Sequence, residues 1–273
     1  MMELINIFSS LSQVFFIEDP IYQLILLALI TLGGVLIIIS VHLIPVGGAP
    51  AAMAQAMGVG TGSTQLAAGA GLTGLLVAAS VYALSADAFL SLILGGVGSG
   101  IMISIAMLFA NISYIYGVGI PPAAGKVIRD PITKDRQDTY VSRGTEGHGI
   151  PTAAFLSGVV GGIIGGIGGS FIFIALLKSP AGLPFEAMSA VIPVAIILSI
   201  ALFFVNAVIA SYNIGGTIEG YYDPKFKKLP KAIIVSALIT LICGAMCLFI
   251  MLQLESAVLQ TLAFGDLFYE VGA

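Results

Sequence analysis

One stretch decides the fold class: residues 152–177 read TAAFLSGVVGGIIGGIGGSFIFIALL and contain no charged side chain. A helix needs about 20 apolar residues to cross a hydrocarbon core about 30 Å thick, so this segment is long enough to span a membrane. Its glycines recur every three or four residues: Gly158, Gly161, Gly162, Gly165, Gly166, Gly168 and Gly169. At 3.6 residues per turn they form a groove along one helix face. The segment therefore predicts a membrane helix that packs closely on its neighbours through small residues.

The rest of the chain has the same character. It is 58% hydrophobic and only 9% charged, with a mean hydropathy of +1.09, which excludes a water-soluble domain. Six segments are long and apolar enough to span a membrane: 21–44, 65–84, 88–118, 152–177, 186–210 and 232–253. The sequence therefore predicts an all-α protein, a bundle of about six transmembrane helices with glycine-rich interfaces.

The basic residues give the bundle an orientation. Nine of the ten Lys and Arg residues lie in two connectors, residues 126–143 and 225–231. Connectors rich in Lys and Arg stay on the cytoplasmic side of a membrane, so with six spans both chain ends lie outside the cell. Most acidic residues then fall on the external side, where Lys178 is the only cation. We expect a multi-pass cell-membrane protein with extracellular termini and cytoplasmic basic loops.

Three regions follow from this arrangement. Residues 1–20 are predicted to be an external amphipathic segment, residues 21–253 the six-span membrane domain, and residues 254–273 an external tail. The uncharged, proline-bounded stretch 46–64 indicates a short re-entrant element, since irregular backbone at membrane depth must be buried by protein or line a cavity. The alternative is an extended second span that begins near Ala51.

No catalytic constellation is present in the sequence. It contains no nucleophile–base pair, phosphate loop or metal quartet, so no catalytic residue is assigned. A GxGxxG-like run at Gly166 lies inside a span and does not follow a strand, which a dinucleotide site would require. Cys243 and Cys247, four residues apart, share a helix face without a nearby histidine and are expected to be free thiols. Nothing indicates a nucleic-acid partner.

Two cytoplasmic segments could still carry chemistry. In the first, glycines leave Glu146 and His148 exposed near the membrane surface, where a titratable pair could contact a ligand; a plain loop before the fourth span is the alternative. In the second, Asn213, Thr217 and Glu219 supply oxygens of the kind that hard cations bind. A metal site is otherwise undetermined.

Inside the spans the polar side chains are uncharged. Asn111 and Asn206 are the main candidates, and each would make an interhelical hydrogen bond or bind an ion, because polar groups in membrane helices face the bundle interior. No Asp, Glu, Lys or Arg lies near the centre of a span. A charged residue that couples ion movement to chemistry would therefore come from a partner.

Several stretches resemble one protein family. They are residues 42–53 (HLIPVGGAPAAM), 58–62 (GVGTG), 66–74 (LAAGAGLTG), 144–149 (GTEGHG), 206–220 (NAVIASYNIGGTIEG) and 223–227 (DPKFK). In this order, between about residues 24 and 250, the chain resembles the D subunit of tetrahydromethanopterin S-methyltransferase. The resemblance implies a multisubunit enzyme of methanogenic archaea that passes a methyl group, by way of a cobamide on another subunit, to coenzyme M. That transfer drives sodium ions outward.

The resemblance also implies partners and a role. The C and E membrane subunits would form the ion path together with this chain in a trimeric assembly among membrane lipids, and a Na⁺ site would be shared between them. This chain alone would bind no cofactor. The predicted mouth of the path comprises Glu146, His148, Asn213, Thr217 and Glu219, with Asn111 and Asn206 deeper. The alternatives are a non-conducting scaffold of the same complex, which a dry glycine-packed interior would favour, and a stand-alone secondary transporter.

Overall fold

The computed structural model describes residues 20–45, 62–125, 127–141, 149–181, 183, 187–215 and 225–271. The helices in these ranges are α1 (Pro20–Leu43), α2 (Gly62–Ser85), α3 (Ala88–Val118), α4 (Thr152–Lys178), α5 (Met188–Gly215) and α6 (Lys225–Val271). The described residues form no strand, only one isolated bridge between Arg129 and Arg136. The predicted all-α helical bundle is therefore confirmed.

Two predicted segments fall almost entirely outside the described residues. Of the amphipathic segment 1–20, only Pro20 is described, and it begins α1. Of the proposed re-entrant stretch 46–64, only residues 62–64 are described, and they already belong to α2. Both predictions stay predictions.

Five of the helices are long and apolar enough to cross a membrane: α1, α3, α4, α5 and α6, with mean hydropathies between 2.2 and 3.0. The sixth, α2, has 24 residues, or about 36 Å at 1.5 Å per residue. Its side chains are described from Gly69 onward, and Gly69–Ser85 is a shorter apolar helix by the same measure. The helix as a whole is still longer than a hydrocarbon core of about 30 Å.

The ends of α3 coincide with the predicted span 88–118 because both ends are set locally. Asp87 Oδ1 accepts hydrogen bonds from the backbone N–H groups of Phe89 at 2.9 Å and Leu90 at 3.0 Å, which caps the first turn. At the other end Gly119 adopts a φ of +76° and its N–H donates to the carbonyl of Ile115, a left-handed closure that favours glycine.

The last two helices continue beyond the predicted spans. Helix α5 ends at Gly215 instead of residue 210, and α6 runs from Lys225 to Val271 instead of 232–253. Hydropathy marks where an apolar run stops, whereas a polar or charged side chain does not by itself end a helix. The 47 residues of α6 extend about 70 Å, so about 40 Å of this helix lies outside a hydrocarbon core of about 30 Å.

Helix α4 occupies the centre of the bundle. It packs most extensively on α1 and α3 and also contacts α2 and α5, and all seven of its predicted groove glycines are buried. The groove has two sides that face different partners. One row, Gly161, Gly165 and Gly168, lies against α1, and the other, Gly162 and Gly166, lies against α3.

The glycine rows bring helix backbones into contact. A Cβ atom on Gly168 would lie 2.7 Å from the carbonyl oxygen of Gly33 in α1, and one on Gly166 would lie 2.6 Å from the carbonyl oxygen of Gly95 in α3. No larger residue fits at these crossings without separating the helices. The prediction that these glycines serve close packing is confirmed at both interfaces, and close packing is the main attractive force between helices in lipid.

Candidate functional site

The connector between α3 and α4 is organised around Asp130. Its main-chain N–H donates to the carbonyl of Asp135 at 2.9 Å. Its Oδ1 atom accepts from the N–H groups of Ile132 at 2.8 Å and Thr133 at 3.0 Å. An Asp side chain that binds the backbone two and three residues ahead stabilises a tight turn. Residues 130–135 therefore form an ordered loop.

Asp130 also ties this loop to the membrane bundle. Pro151 precedes α4 and offers no side-chain cap, and Asp130 Oδ2 accepts a hydrogen bond from the N–H of Ala153, in the first turn, at 3.2 Å. The loop thus caps the glycine helix from 23 residues upstream. A carboxylate is favoured at this position because the N-terminus of a helix carries partial positive charge.

The pKa of Asp130 reflects the balance of these effects. Burial raises the pKa, since Asp130 is only 2% exposed, but the hydrogen bonds from Thr133, Ile132 and Ala153, with the nearby charge of Lys134, outweigh it. The net result is that the pKa of the Asp130 carboxyl lies below its usual value. The charged form is therefore the one that the fold stabilises.

Asn111 fixes the start of α4 from the other side. Its Nδ2 donates to the carbonyl of Ile150 at 2.8 Å, and its Oδ1 accepts from the N–H of the same residue at 2.6 Å. The adjacent Gly149 has a φ of +63°, and a Cβ there would lie 3.1 Å from Asn111 Oδ1. The side-chain amide of Asn111 therefore makes the same two hydrogen bonds with the main chain of Ile150 that a residue of a neighbouring β-strand would make.

A cleft of about 590 Å³ lies between Asn111 and the Asp130 loop. Thr133, Arg136 and Tyr140 also line it. The guanidinium of Arg136 donates to the carboxylate of Asp138 at 3.0 Å, and this hydrogen bond and charge raise its pKa. The polar groups that line the cleft thus largely serve the connector's own structure.

Asn206 lies in a polar cluster between α5 and α6. It is fully buried, its Nδ2 donates to the carbonyl of Leu202 at 3.0 Å, and its Oδ1 accepts from the hydroxyls of Ser236 and Thr240, the latter at 3.0 Å. Gly34 of α1 packs directly on Thr240. Asn206 thus makes an interhelical hydrogen bond, and its predicted role in the ion path stays a prediction.

Asn213, near the end of α5, contacts the buried His42 near the end of α1. His42 Nδ1 lies 2.8 Å from the carbonyl of Ile38, and its Nε2 lies 3.0 Å from Asn213 Nδ2. A carbonyl only accepts, so Nδ1 carries the proton, which leaves Nε2 to accept from the amide of Asn213. This contact joins the ends of α1 and α5 just before the two chain segments that leave them.

The structure does not bring the described candidates together. Asn111 lies on α3 and contacts the α3–α4 connector at Ile150. Asn206 belongs to the α5–α6 interface and Asn213 to the contact between α1 and α5. The other four predicted mouth residues lie outside the described residues: Glu146, His148, Thr217 and Glu219. Their roles stay predictions.

Sequence reasoning missed Asp130, Ser236 and Thr240. A signal existed for each: Asp130 precedes Pro131, a pair typical of turns, and Ser236 and Thr240 are four residues apart on one face of a span. Their partners lie 23 to 34 residues away in sequence, and no local pattern identifies them.

The described part of the chain holds no group of three or more His, Cys, Asp or Glu side chains arranged for a metal ion. Cys243 and Cys247 are free cysteines on α6. A Na⁺ site shared with a partner stays a prediction.

These features define the class: a polytopic helical membrane protein in which a few buried polar side chains join neighbouring helices. A family model for the D subunit of tetrahydromethanopterin S-methyltransferase matches residues 23–240. The chain belongs to this family, and it is therefore a subunit of a multisubunit methyltransferase.

Relatives from three methanogens named for this subunit match over nearly their full length. The tetrahydromethanopterin S-methyltransferase D subunit of Methanosarcina barkeri is 52% identical over 246 residues, which cover 87% of this chain and 98% of the relative. The corresponding protein of Methanothermobacter marburgensis is 52% identical over 228 residues, covering 84% and 95%. That of Methanocaldococcus jannaschii is 50% identical over 230 residues, covering 83% and 96%.

Proposed function

We propose that this chain is a membrane subunit of a complex that transfers a methyl group from methyl-tetrahydromethanopterin to coenzyme M and exports sodium ions. A cobamide held by another subunit carries the methyl group, and the residues of methyl transfer belong to partners. Within a trimeric assembly, the bundle of this chain is closed to ions and forms one wall of a path shared with the C and E subunits. Family membership supports the complex, and the packing described above supports the closed bundle.

The contact between the backbones of α1, α3 and α4 carries the proposal. At Gly168 and Gly166 there is no room even for a methyl group between neighbouring helices, so the centre of the bundle has no space for a hydrated ion. A sodium ion needs several oxygen ligands, as hard cations do. An ion path formed by this chain is therefore expected on its outer surface.

The polar cluster at Asn206 also supports a bundle that is closed to ions. Its single carboxamide oxygen already accepts two hydroxyl hydrogen bonds, and an ion that bound there would have to replace them. Breaking these bonds would leave buried polar groups unpaired, at about 1–3 kcal/mol each. Asn206 therefore stabilises the α5–α6 interface.

Asn206→Leu in the whole complex tests this assignment. We expect less assembled complex, but an unchanged sodium concentration for half-maximal methyl transfer per assembled complex. Ser199→Ala is the matched control, because Ser199 is also buried on α5 but donates only within its own helix, to the carbonyl of Ala195. A higher sodium requirement in fully assembled Asn206→Leu complex, absent in the control, would assign Asn206 to the ion path.

The second candidate function is a scaffold that touches no ions, and the same glycine packing favours it. Single cysteines at Ile101, Ile105 and Leu238, all exposed on α3 or α6, distinguish the two candidates in a background that lacks Cys243 and Cys247. A membrane-impermeant thiol reagent would reach a cysteine on a water-lined wall. If every position in the assembled complex is inert, the scaffold is favoured.

We also propose that the connector around Asp130 and the start of α6 face the cytoplasm. The basic residues of both segments support this orientation. An impermeant amine reagent applied to intact cells should leave Lys134 and Lys227 unmodified. Modification of either residue from outside would reverse the orientation.

A further inference from the structure

A second cleft, of about 550 Å³, lies between the end of α5 and the start of α6. Its volume is within the range of about 300–1,000 Å³ common for small-molecule sites. Asn213, whose amide contacts His42, also lines it. The lining of the cleft is basic at one end and apolar at the other, and this change indicates the kind of molecule that it would bind.

The outer end of the cleft is basic. Lys228 and Lys231 both line it, and at a spacing of three residues they lie on the same side of α6. Lys231 is exposed and Lys228 is half-buried. Tyr212 of α5, which is 79% exposed, lines the cleft opposite them. Two ammonium groups and a phenol hydroxyl can all donate hydrogen bonds to a phosphate oxygen.

The inner end of the cleft is apolar. Val208 and Ile209 lie about one turn deeper along α5, and Ala232 and Val235 lie deeper along α6. Val208 is 45% exposed, so this end opens onto the outer surface of the bundle. From Lys228 to Val235 the helix rises about 10 Å, the distance over which the cleft changes from charged to apolar.

We propose that this cleft binds the headgroup of an anionic membrane lipid. The phosphate contacts Lys228 and Lys231, and the first part of a hydrocarbon chain lies along Val208 and Val235. A charged end beside an apolar end, at the end of two membrane helices, matches an amphiphile that already lies in the bilayer. Basic pockets between membrane helices bind lipid phosphates in this way. The proposal rests on Lys228, Lys231, Val208 and Val235 and assigns no role to Asn213, so it does not require the predicted mouth of the sodium path.

The assembled complex, stripped of lipid in a neutral detergent, provides the test. The probe is fluorescent phosphatidylglycerol, measured by anisotropy in competition with unlabelled phosphatidylglycerol, phosphatidylcholine or inorganic phosphate. Each lysine near a membrane surface contributes about 1 kcal/mol toward an anionic lipid, so Lys231→Gln should weaken binding about fivefold and Lys228→Gln/Lys231→Gln about 30-fold. Lys231→Arg, which keeps the charge, should bind nearly as well as the unmodified complex.

Lys227→Gln is the matched control. Lys227 is exposed on the same turn of α6 and does not line the cleft, but its replacement removes the same charge. The proposal predicts less than a twofold change for this variant and competition by phosphatidylglycerol alone. Equal weakening by Lys227→Gln, an unaffected double variant, or displacement of the probe by inorganic phosphate would each overturn it. Elution of every variant as intact complex shows that the chain has folded.

Discussion

Replacing Gly166 by alanine tests whether α3 and α4 touch through their backbones. The added Cβ would lie 2.6 Å from the carbonyl oxygen of Gly95, 2.5 Å from Ser99 Cβ and 3.1 Å from Gly96 Cα. Carbon and oxygen atoms in contact normally lie about 3.3–3.6 Å apart, so the two helices must separate by about 0.7–1 Å. None of these three atoms is the far end of a flexible side chain that could turn aside.

The energetic cost follows from two opposing effects. Overpacking of this kind costs about 1–3 kcal/mol, and alanine recovers up to about 1 kcal/mol because it favours a helix more than glycine does. Since the colliding atoms are all fixed, the upper part of the range applies and the net loss is about 2 kcal/mol. For a chain of this size we expect a midpoint lower by about 4–8 °C.

Gly69→Ala provides the matched control. A Cβ on Gly69 would meet nothing within 4 Å, so this variant keeps only the helix-forming gain and should unfold at the same or a slightly higher temperature. The assay heats the detergent-solubilised complex in steps and quantifies the subunit that stays in the complex at each temperature. If Gly166→Ala and Gly69→Ala give the same midpoint, the two backbones are not in contact at Gly166.

Two further predictions concern hydrogen bonds that join distant segments. Asp130→Asn keeps one oxygen for the turn but loses the acceptor for Ala153, which should cost about 1 kcal/mol, as the loss of a helix cap does. Because the pKa of Asp130 is lowered by folding, its charge stabilises the fold above the unfolded pKa of about 3.9. This stabilisation is lost as the pH falls through the folded pKa. The unfolding midpoints of Asp130→Asn and of the unmodified protein should therefore differ at neutral pH and converge in acid. A difference in midpoint that persists in acid would show that the charge of Asp130 does not stabilise the fold. Ser236→Ala and Thr240→Val should each lower the stability only slightly, because the Oδ1 atom of Asn206 still accepts from the remaining hydroxyl. The double variant should lose about 0.5–3 kcal/mol more stability than the sum of the two single variants. A double-mutant cycle on thermal midpoints measures this coupling, and strict additivity would argue against a shared acceptor.

Features set by residues close together in the sequence could be predicted, whereas contacts between distant segments could not. The limits of α3 were predictable because Asp87 and Gly119 act within one turn of the helix ends. The burial of the glycines in α4 was predictable from their spacing. Which helix each row faces was not, because Gly33 and Gly95 become neighbours of α4 only when the bundle forms.

The polar residues show the same limit. Asn206 could be predicted to be an interior group, but its hydrogen-bond partners could not, because Ser236 and Thr240 lie 30 and 34 residues further along. The far end of α6 escaped prediction for another reason. Charge ends a hydropathy signal at Glu255, yet a charged side chain does not end a helix.

The length of α6 has a mechanical consequence. Pro230, which has no N–H group, removes one backbone hydrogen bond near the start of α6. The rest of the helix, about 60 Å long, contains no other proline and behaves as a stiff rod, so a tilt imposed at the distal tip is transmitted along it. A tilt of about 5° displaces a point 40 Å along such a rod by about 3–4 Å. A neighbour that binds the distal tip could therefore widen or narrow the gap beside Lys231 without touching it.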